Sequence, residues 1–180
     1  LKQEADIMAT QQQISDITAL YIGYFDRAPD PAGLQFWIDQ IDNGRPFNTI
    51  AADFAASPEA LALYPYLTNP GIVTPSMFVV QIYANLFNRA PDAAGLTFWT
   101  EVLANGDVSP ADMIEAIIHG AVDAPADNTF DRSTLDNKIE VGLDFVTKTA
   151  NTPGFVYDDA AAAAAVSVVN GVTHDPATVD

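Results

Sequence analysis

One segment of this chain occurs twice. Arg27-Ala-Pro-Asp-Pro-Ala-Gly-Leu-Gln-Phe-Trp37 returns as Arg89-Ala-Pro-Asp-Ala-Ala-Gly-Leu-Thr-Phe-Trp99, with nine of eleven positions identical at an offset of 62. The match runs outward. Tyr21 and Phe25 pair with Tyr83 and Phe87, Asn43-Gly44 with Asn105-Gly106, and, after one inserted residue, Ile50 and Phe54 with Met113 and Ile117. Such self-similarity marks a duplicated unit of roughly sixty residues, too small to bury its apolar face alone, so the copies are expected to stack.

Each copy reads as helix, sharp turn, helix, loop, helix. Ile14, Ile17, Leu20, Tyr21, Tyr24 and Phe25 fall on one helical face, and Val79, Ile82, Tyr83, Leu86 and Phe87 repeat it. Pro29 and Pro91 are expected to stop these helices, because proline disfavours helical geometry in the residue before it. Asp30 then reads as an N-cap with Pro31 in the first helical position, and Asp92 as the same cap without the proline. Leu34, Trp37, Ile38 and Ile41 form the next apolar face, and Asn43-Gly44 and Asn105-Gly106 supply left-handed stops. Third helices are expected from Phe47 to Thr49 onward and from Ser109-Pro110; Ser57-Pro58-Glu59 and Thr74-Pro75 carry the same start signal. A proline-rich connector joins the copies over residues 64–75.

The last third holds no copy of the motif. Ser133-Thr-Leu-Asp136 resembles a capping box with Asp in place of Glu, opening a helix that bears Leu135, Ile139, Leu143 and Val146 and breaks at Thr152-Pro-Gly154. Asp158 to Val169 predicts an alanine-rich helix ending at Asn170-Gly171. No stretch alternates with period two, so the fold is expected to be all-α, with two tandem three-helix units packed together plus a C-terminal helical segment. The expected divisions are residues 8–70 for the first unit, 71–122 for the second, 123–172 for the C-terminal segment and 173–180 for a tail or linker.

Charge narrows the function. Seven basic against 24 acidic side chains give a net charge of −17 in 180 residues. That excludes the basic patch of a nucleic-acid binder and disfavours adsorption to anionic lipid. The acid has no concentrated tail; it suits a solvated surface or a cation-rich medium outside the cell. There is no cysteine, which removes disulfides, thiolate metal sites and thiol nucleophiles. No run approaches the roughly 20 apolar residues of a membrane span. Residues 1–20 lack a basic-then-apolar secretory signal, so export is expected to rely on a signal elsewhere.

Catalytic fingerprints are missing. The two histidines, His119 and His174, lie 55 positions apart, and no metalloprotease, nucleophile-elbow, P-loop or dinucleotide pattern is present. The pairs Asp39/Asp42, Asp112/Glu115 and Asp158/Asp159 read as solvated faces or helix-start charges. The chain is expected not to be an enzyme and to need no cofactor. Calcium has one candidate loop, with Asp123, Asp127, Asn128 and Asp131, which gathers oxygen ligands without EF-hand spacing.

Positions held in both copies are constrained by something common to both. Arg27 and Arg89 follow helix C-termini, where a guanidinium can meet orphan carbonyls or fork onto a carboxylate, Asp30 and Asp92 being three residues on; ligand contact is the other reading. Gly33 and Gly95 each cost a helix up to about 1 kcal/mol. They serve either a close helix approach or an amide offered to an anion. Phe36 and Trp37, like Phe98 and Trp99, are about 100° apart around a helix, so one ring packs and its neighbour lies nearer the rim. There it either completes the packing or offers a platform for a sugar face.

RAPDxAGLxFW, after an apolar helix and before an Asn-Gly stop, resembles the DUF4214 family of bacterial exported proteins over residues 14–64 and 76–120. Asn137-Lys-Ile-Glu-Val141, the helix from Asp158 and Gly171-Val-Thr-His-Asp-Pro176 resemble the end segment of such proteins. The resemblance implies an α-helical module of large secreted or surface proteins, which often carry calcium-binding RTX repeats and leave by type I secretion. The N-terminal helical region of some S-layer proteins is similar in kind and anchors the layer to lipopolysaccharide. Phycobilisome linker repeats are more distantly similar. The family supplies no catalytic residues. The expected function is a non-catalytic, extracellular or cell-surface module that binds polysaccharide or lipopolysaccharide. The alternative is a structural spacer or self-associating platform without a small ligand.

Overall fold

The computed structural model describes residues 8–122 and 129–179. The regular elements are α1 (Gln11–Phe25), α2 (Pro31–Asp42), α3 (Phe47–Ala56), α4 (Pro58–Leu63), α5 (Pro65–Thr68), α6 (Pro75–Phe87), α7 (Ala93–Asn105), α8 (Pro110–Val122), α9 (Thr129–Ala150) and α10 (Asp159–Val169), with a 3-10 turn at Pro176–Thr178. There is no strand among the described residues, and the fold is all-α.

Short-range chemistry sets most boundaries. The Asp30 and Asp92 carboxylates accept from the Gly33 and Gly95 amides at 2.8 and 2.7 Å, capping α2 and α7. Ser57 and Asp158 cap α4 and α10 in the same way, at 3.1 and 2.9 Å. Gly44 and Gly106 take φ of 82° and 74° where α2 and α7 end. The helices α1 and α6, however, stop before the prolines expected to end them. Asp26 and Asn88, equivalent residues of the two copies, close them in the left-handed region at φ of 49° and 56°. Asp and Asn tolerate that conformation, so Pro29 and Pro91 lie in a turn already begun.

Three other expectations are corrected. The connector over residues 64–75 holds one helical turn, α5, and is packed down: the buried Tyr64 and Tyr66 rings stand 5.2 and 5.5 Å from Phe78. Helix α9 begins at Thr129, so Ser133 lies inside it rather than capping it. Asp131 explains the earlier start, since it brings negative charge to the first turn and is held by Arg89. Residues 173–179 are tied down rather than trailing. The Asn137 amide donates to Thr173 O at 2.7 Å, the Asn88 amide donates to Val172 O, and the His174 ring lies 4.3 Å from Phe130.

The two copies meet through equivalent elements, α1 on α6 and α3 on α8, as in an approximate two-fold arrangement. At Gly23 the approach is so close that a Cβ would stand 2.9 Å from Ile114 Cγ2. The repeat counterpart of Gly23 is Asn85, and the two positions touch: Asn85 Nδ2 donates to Gly23 O at 2.9 Å. It also reaches the Tyr64 hydroxyl at 3.0 Å, which donates to Tyr24 O at 2.8 Å. From α9, the fully buried Lys138 donates to Asn85 O at 2.6 Å and is attracted by Asp26. Four segments thus converge on one buried polar junction.

Lys138 makes stability pH-dependent. Burial lowers its pKa from the ordinary 10.5 to about 8, against the pull of Asp26. Below pH 8 it is charged whether the chain is folded or not. Between 8 and 10.5 the unfolded chain keeps a proton that the folded chain has released, so stability rises with pH. Tyr21, which burial pushes up from 10.0 to about 12, acts oppositely above pH 10. Melting temperature is expected to climb from about pH 7.5 to about pH 9.5 and to fall beyond, and Lys138→Met to remove the climb and keep the fall. A wild-type profile without the climb would contradict the charged state assigned to Lys138.

Candidate functional site

Both motif arginines are clasped, and neither by the aspartate three residues on, because Asp30 and Asp92 are occupied as caps. Arg27 forks Nε and Nη2 onto Glu59 of α4 at 3.2 and 3.1 Å, while Nη1 donates to Ala28 O at 3.3 Å. Its guanidinium carbon lies 5.1, 5.3 and 5.7 Å from the ring centres of Tyr21, Phe25 and Tyr157. Arg89 forks onto the buried Asp131 of α9, with Nε at 2.7 Å from Oδ1, donates to Ala90 O at 2.9 Å and stands 5.4 Å from the Tyr83 ring. The first copy therefore takes its carboxylate from its own following helix, and the second from the C-terminal segment.

The tyrosine before each clasp links it to the next helix. Trp99 Nε1 donates to Tyr83 Oη at 3.0 Å. Trp37 packs on Phe54 at 5.1 Å, and Phe54 also receives Tyr21 edge-on at 5.0 Å and stacks with Phe25 at 5.6 Å. In the second copy Ile117 fills the place of Phe54. The tryptophans are the packed rings of their pairs. Their neighbours Phe36 and Phe98 touch them edge-on at 4.8 and 5.0 Å but remain 52% and 55% exposed. A half-open phenylalanine thus recurs at the same place in both copies. Asp39 and Gln40 follow Phe36 on its helical face, and Glu101 follows Phe98.

The motif glycines are not alike. Their amides are both taken by the caps, which leaves no free N–H for an anion. A Cβ on Gly33 would meet Tyr21 Oη at 2.4 Å and Asp30 Oδ2 at 2.7 Å, whereas on Gly95 the nearest atoms are ordinary contacts at 3.4 and 3.6 Å. The close approach read from the sequence is real at Gly33 alone.

Among the described residues no three His, Asp or Glu side chains gather to hold a metal ion. Of the calcium candidates, Asp123, Asp127 and Asn128 lie outside the described residues, and Asp131 faces Arg89. One groove of about 370 Å³ between α1 and α9 carries Asp16, Asp136 and Glu140. Burial raises the pKa of Asp16, which Gln12 holds at 2.8 Å, and Asp136 pairs with Arg132 at 3.6 Å. Sequence reasoning missed Lys138, although it sits on the apolar face between Leu135 and Gly142, a visible signal. It also missed Glu115 as the partner of His119, four residues back at 3.6 Å.

Two measurements separate architecture from ligand chemistry here. Gly33→Ala is expected to lose about 1–3 kcal/mol in urea unfolding by overpacking, and Gly95→Ala to be neutral or to gain up to about 1 kcal/mol of helix propensity. Equal effects would refute the contrast between the copies. Arg27→Ala is expected to cost about 2 kcal/mol, since it removes packing against three rings along with the ion pair, and Glu59→Gln under about 1 kcal/mol, because Glu59 is half exposed. An Arg27→Ala protein as stable as wild type would overturn the clasp.

The family described as "Domain of unknown function (DUF4214)" matches residues 9–64 and again 68–121, more than half of the chain. An S-layer protein of Synechocystis sp. is 27% identical over 170 residues, which is 91% of this chain and 10% of the relative. The chain thus spans about a tenth of that relative's length. No solved structure matches. With two tandem matches that each contain the motif arginine, its capping aspartate and its tryptophan, the chain belongs to the DUF4214 family.

Proposed function

We propose that this chain is a non-catalytic helical module of an exported bacterial surface protein, attaching its parent to envelope or extracellular glycan through the Phe36 and Phe98 rims. The observation that carries the reading is the recurrence of a half-exposed phenylalanine in both copies, each with a carboxylate one turn on, Asp39 and Glu101. Apolar ring faces bind the C–H faces of sugars, and flanking acceptors take their hydroxyl protons. One such rim in each copy offers a repeating polysaccharide two contacts of the same kind, and a chain that spans both gains affinity without any new chemistry. The surface setting is supported by the S-layer relative, and by a cysteine-free chain of net charge −17.

Titration calorimetry against purified lipopolysaccharide and soluble exopolysaccharide, each with calcium and with chelator, tests the reading. Wild-type protein is expected to bind one of them, and Phe36→Ala with Phe98→Ala to weaken binding at least about tenfold without lowering the melting temperature. Absence of binding to either glycan in both conditions would refute it.

A further inference from the structure

Residues 60–88 contain no Asp, Glu, Lys, Arg or His, although the rest of the chain carries 24 acidic and seven basic side chains. This stretch runs from α4 through α5 into α6, and part of it is surface. Leu63, Ile72 and Met77 are 53%, 86% and 71% exposed, and Val80 lies open one turn beyond Met77. Leu63, Val73 and Met77 border a small groove of about 130 Å³ floored by Tyr66 and Phe78.

The duplication shows that this face lacks a cover that its counterpart has. On α1, Ser15 and Ala19 line the groove against Leu135 and Ile139 of α9, and Thr18 is fully buried, with a Cβ on Gly142 due to fall 3.2 Å from its methyl group. The equivalent residues on α6, at the same offset of 62, are Met77, Gln81 and Val80, and all three are exposed. On this face the short α5 meets Phe78 through Tyr66, whereas α9 covers the matching face of α1 and meets α6 on another side, at Asn85.

We propose that this uncharged face is where two copies of the chain meet, each placing its α6 and Leu63 ridge against the other. Charge selects the partner. Two bodies of net charge −17 repel wherever their acidic surfaces face, and a face free of charge is where they can approach without bringing carboxylates together. The contact is isologous: the exposed Leu63 and Met77 side chains border a groove with room for one apolar side chain, so ridge and recess lie on the same face.

Sedimentation equilibrium of the 180-residue chain over a concentration series, at low and high salt, tests this. The weight-average mass is expected to rise toward twice the monomer with concentration, and to rise sooner at high salt, where the repulsion is screened. Met77→Glu and Ile72→Glu, both at exposed positions, are expected to hold the chain at monomer mass with an unchanged circular dichroism spectrum. Val156→Glu, an exposed apolar position outside the neutral stretch, is expected to keep the dimer. Monomer mass for wild type at every concentration and salt would overturn the proposal, as would a dimer that survives Met77→Glu. So would a monomer that co-sediments with phosphatidylcholine vesicles and is released by Met77→Glu, which would give the face to lipid.

Discussion

The architecture depends on a buried polar junction placed where the two copies cross. Asn85 joins the backbone of α1 to Tyr64, and Lys138 closes the arrangement by donating to Asn85 O. Buried polar groups are costly unless satisfied, so this junction admits one relative placement of α1, α6, α9 and the end of the first copy. Apolar packing alone would tolerate sliding of one helix over another; a buried lysine held to Asn85 O at 2.6 Å does not. Asymmetry at the crossing follows from the same need. One copy supplies glycine so that the helices can approach, and the other supplies asparagine to use the carbonyl thereby exposed.

Much of this was legible in the sequence because it depends on neighbours along the chain. The caps at Asp30, Asp92 and Asp158, the proline starts at Pro31, Pro58, Pro75 and Pro110, and the glycine stops at Gly44 and Gly106 are contacts within a few residues. Their chemistry therefore fixes them locally. The partners of the arginines were not legible. Glu59 and Asp131 lie 32 and 42 residues from Arg27 and Arg89, and any of the many acidic residues would have satisfied the rule that suggested Asp30 and Asp92. The early start of α9 and the docking of residues 173–179 were hidden for the same reason. Each depends on a contact between residues far apart in the chain, Asp131 with Arg89 and Thr173 with Asn137.

The C-terminal segment is better understood as the second copy's counterpart of α4 and α5 than as an appendage. Helix α4 supplies the carboxylate for Arg27, and the connector beyond it places Tyr64 and Tyr66 against α6. Helix α9 supplies the carboxylate for Arg89 and then lies along α1. Each following segment thus clasps its own copy and covers part of the other, which binds the units more firmly than a single interface would. The symmetry is incomplete, since Ala28 N donates to Ala165 O of α10 at 2.9 Å while the equivalent Ala90 is exposed. The first copy is accordingly the better covered, and the bare surface lies with the second.

Internal duplication also allows each shared residue to be weighed against packing. Tyr21 and Tyr83, Arg27 and Arg89, Asp30 and Asp92, and Trp37 and Trp99 all make contacts that account for their presence in both copies. Phe36 and Phe98 resist that account. Each could bury its edge against the neighbouring tryptophan as a smaller side chain, yet each keeps about half of a large apolar ring in water, where it gains little folding free energy. The fold accounts for one edge of each ring, against the tryptophan, and leaves the other face in water in both copies. That recurrence is what the proposed glycan contact rests on, and the edge-on tryptophan beside each ring is what holds it.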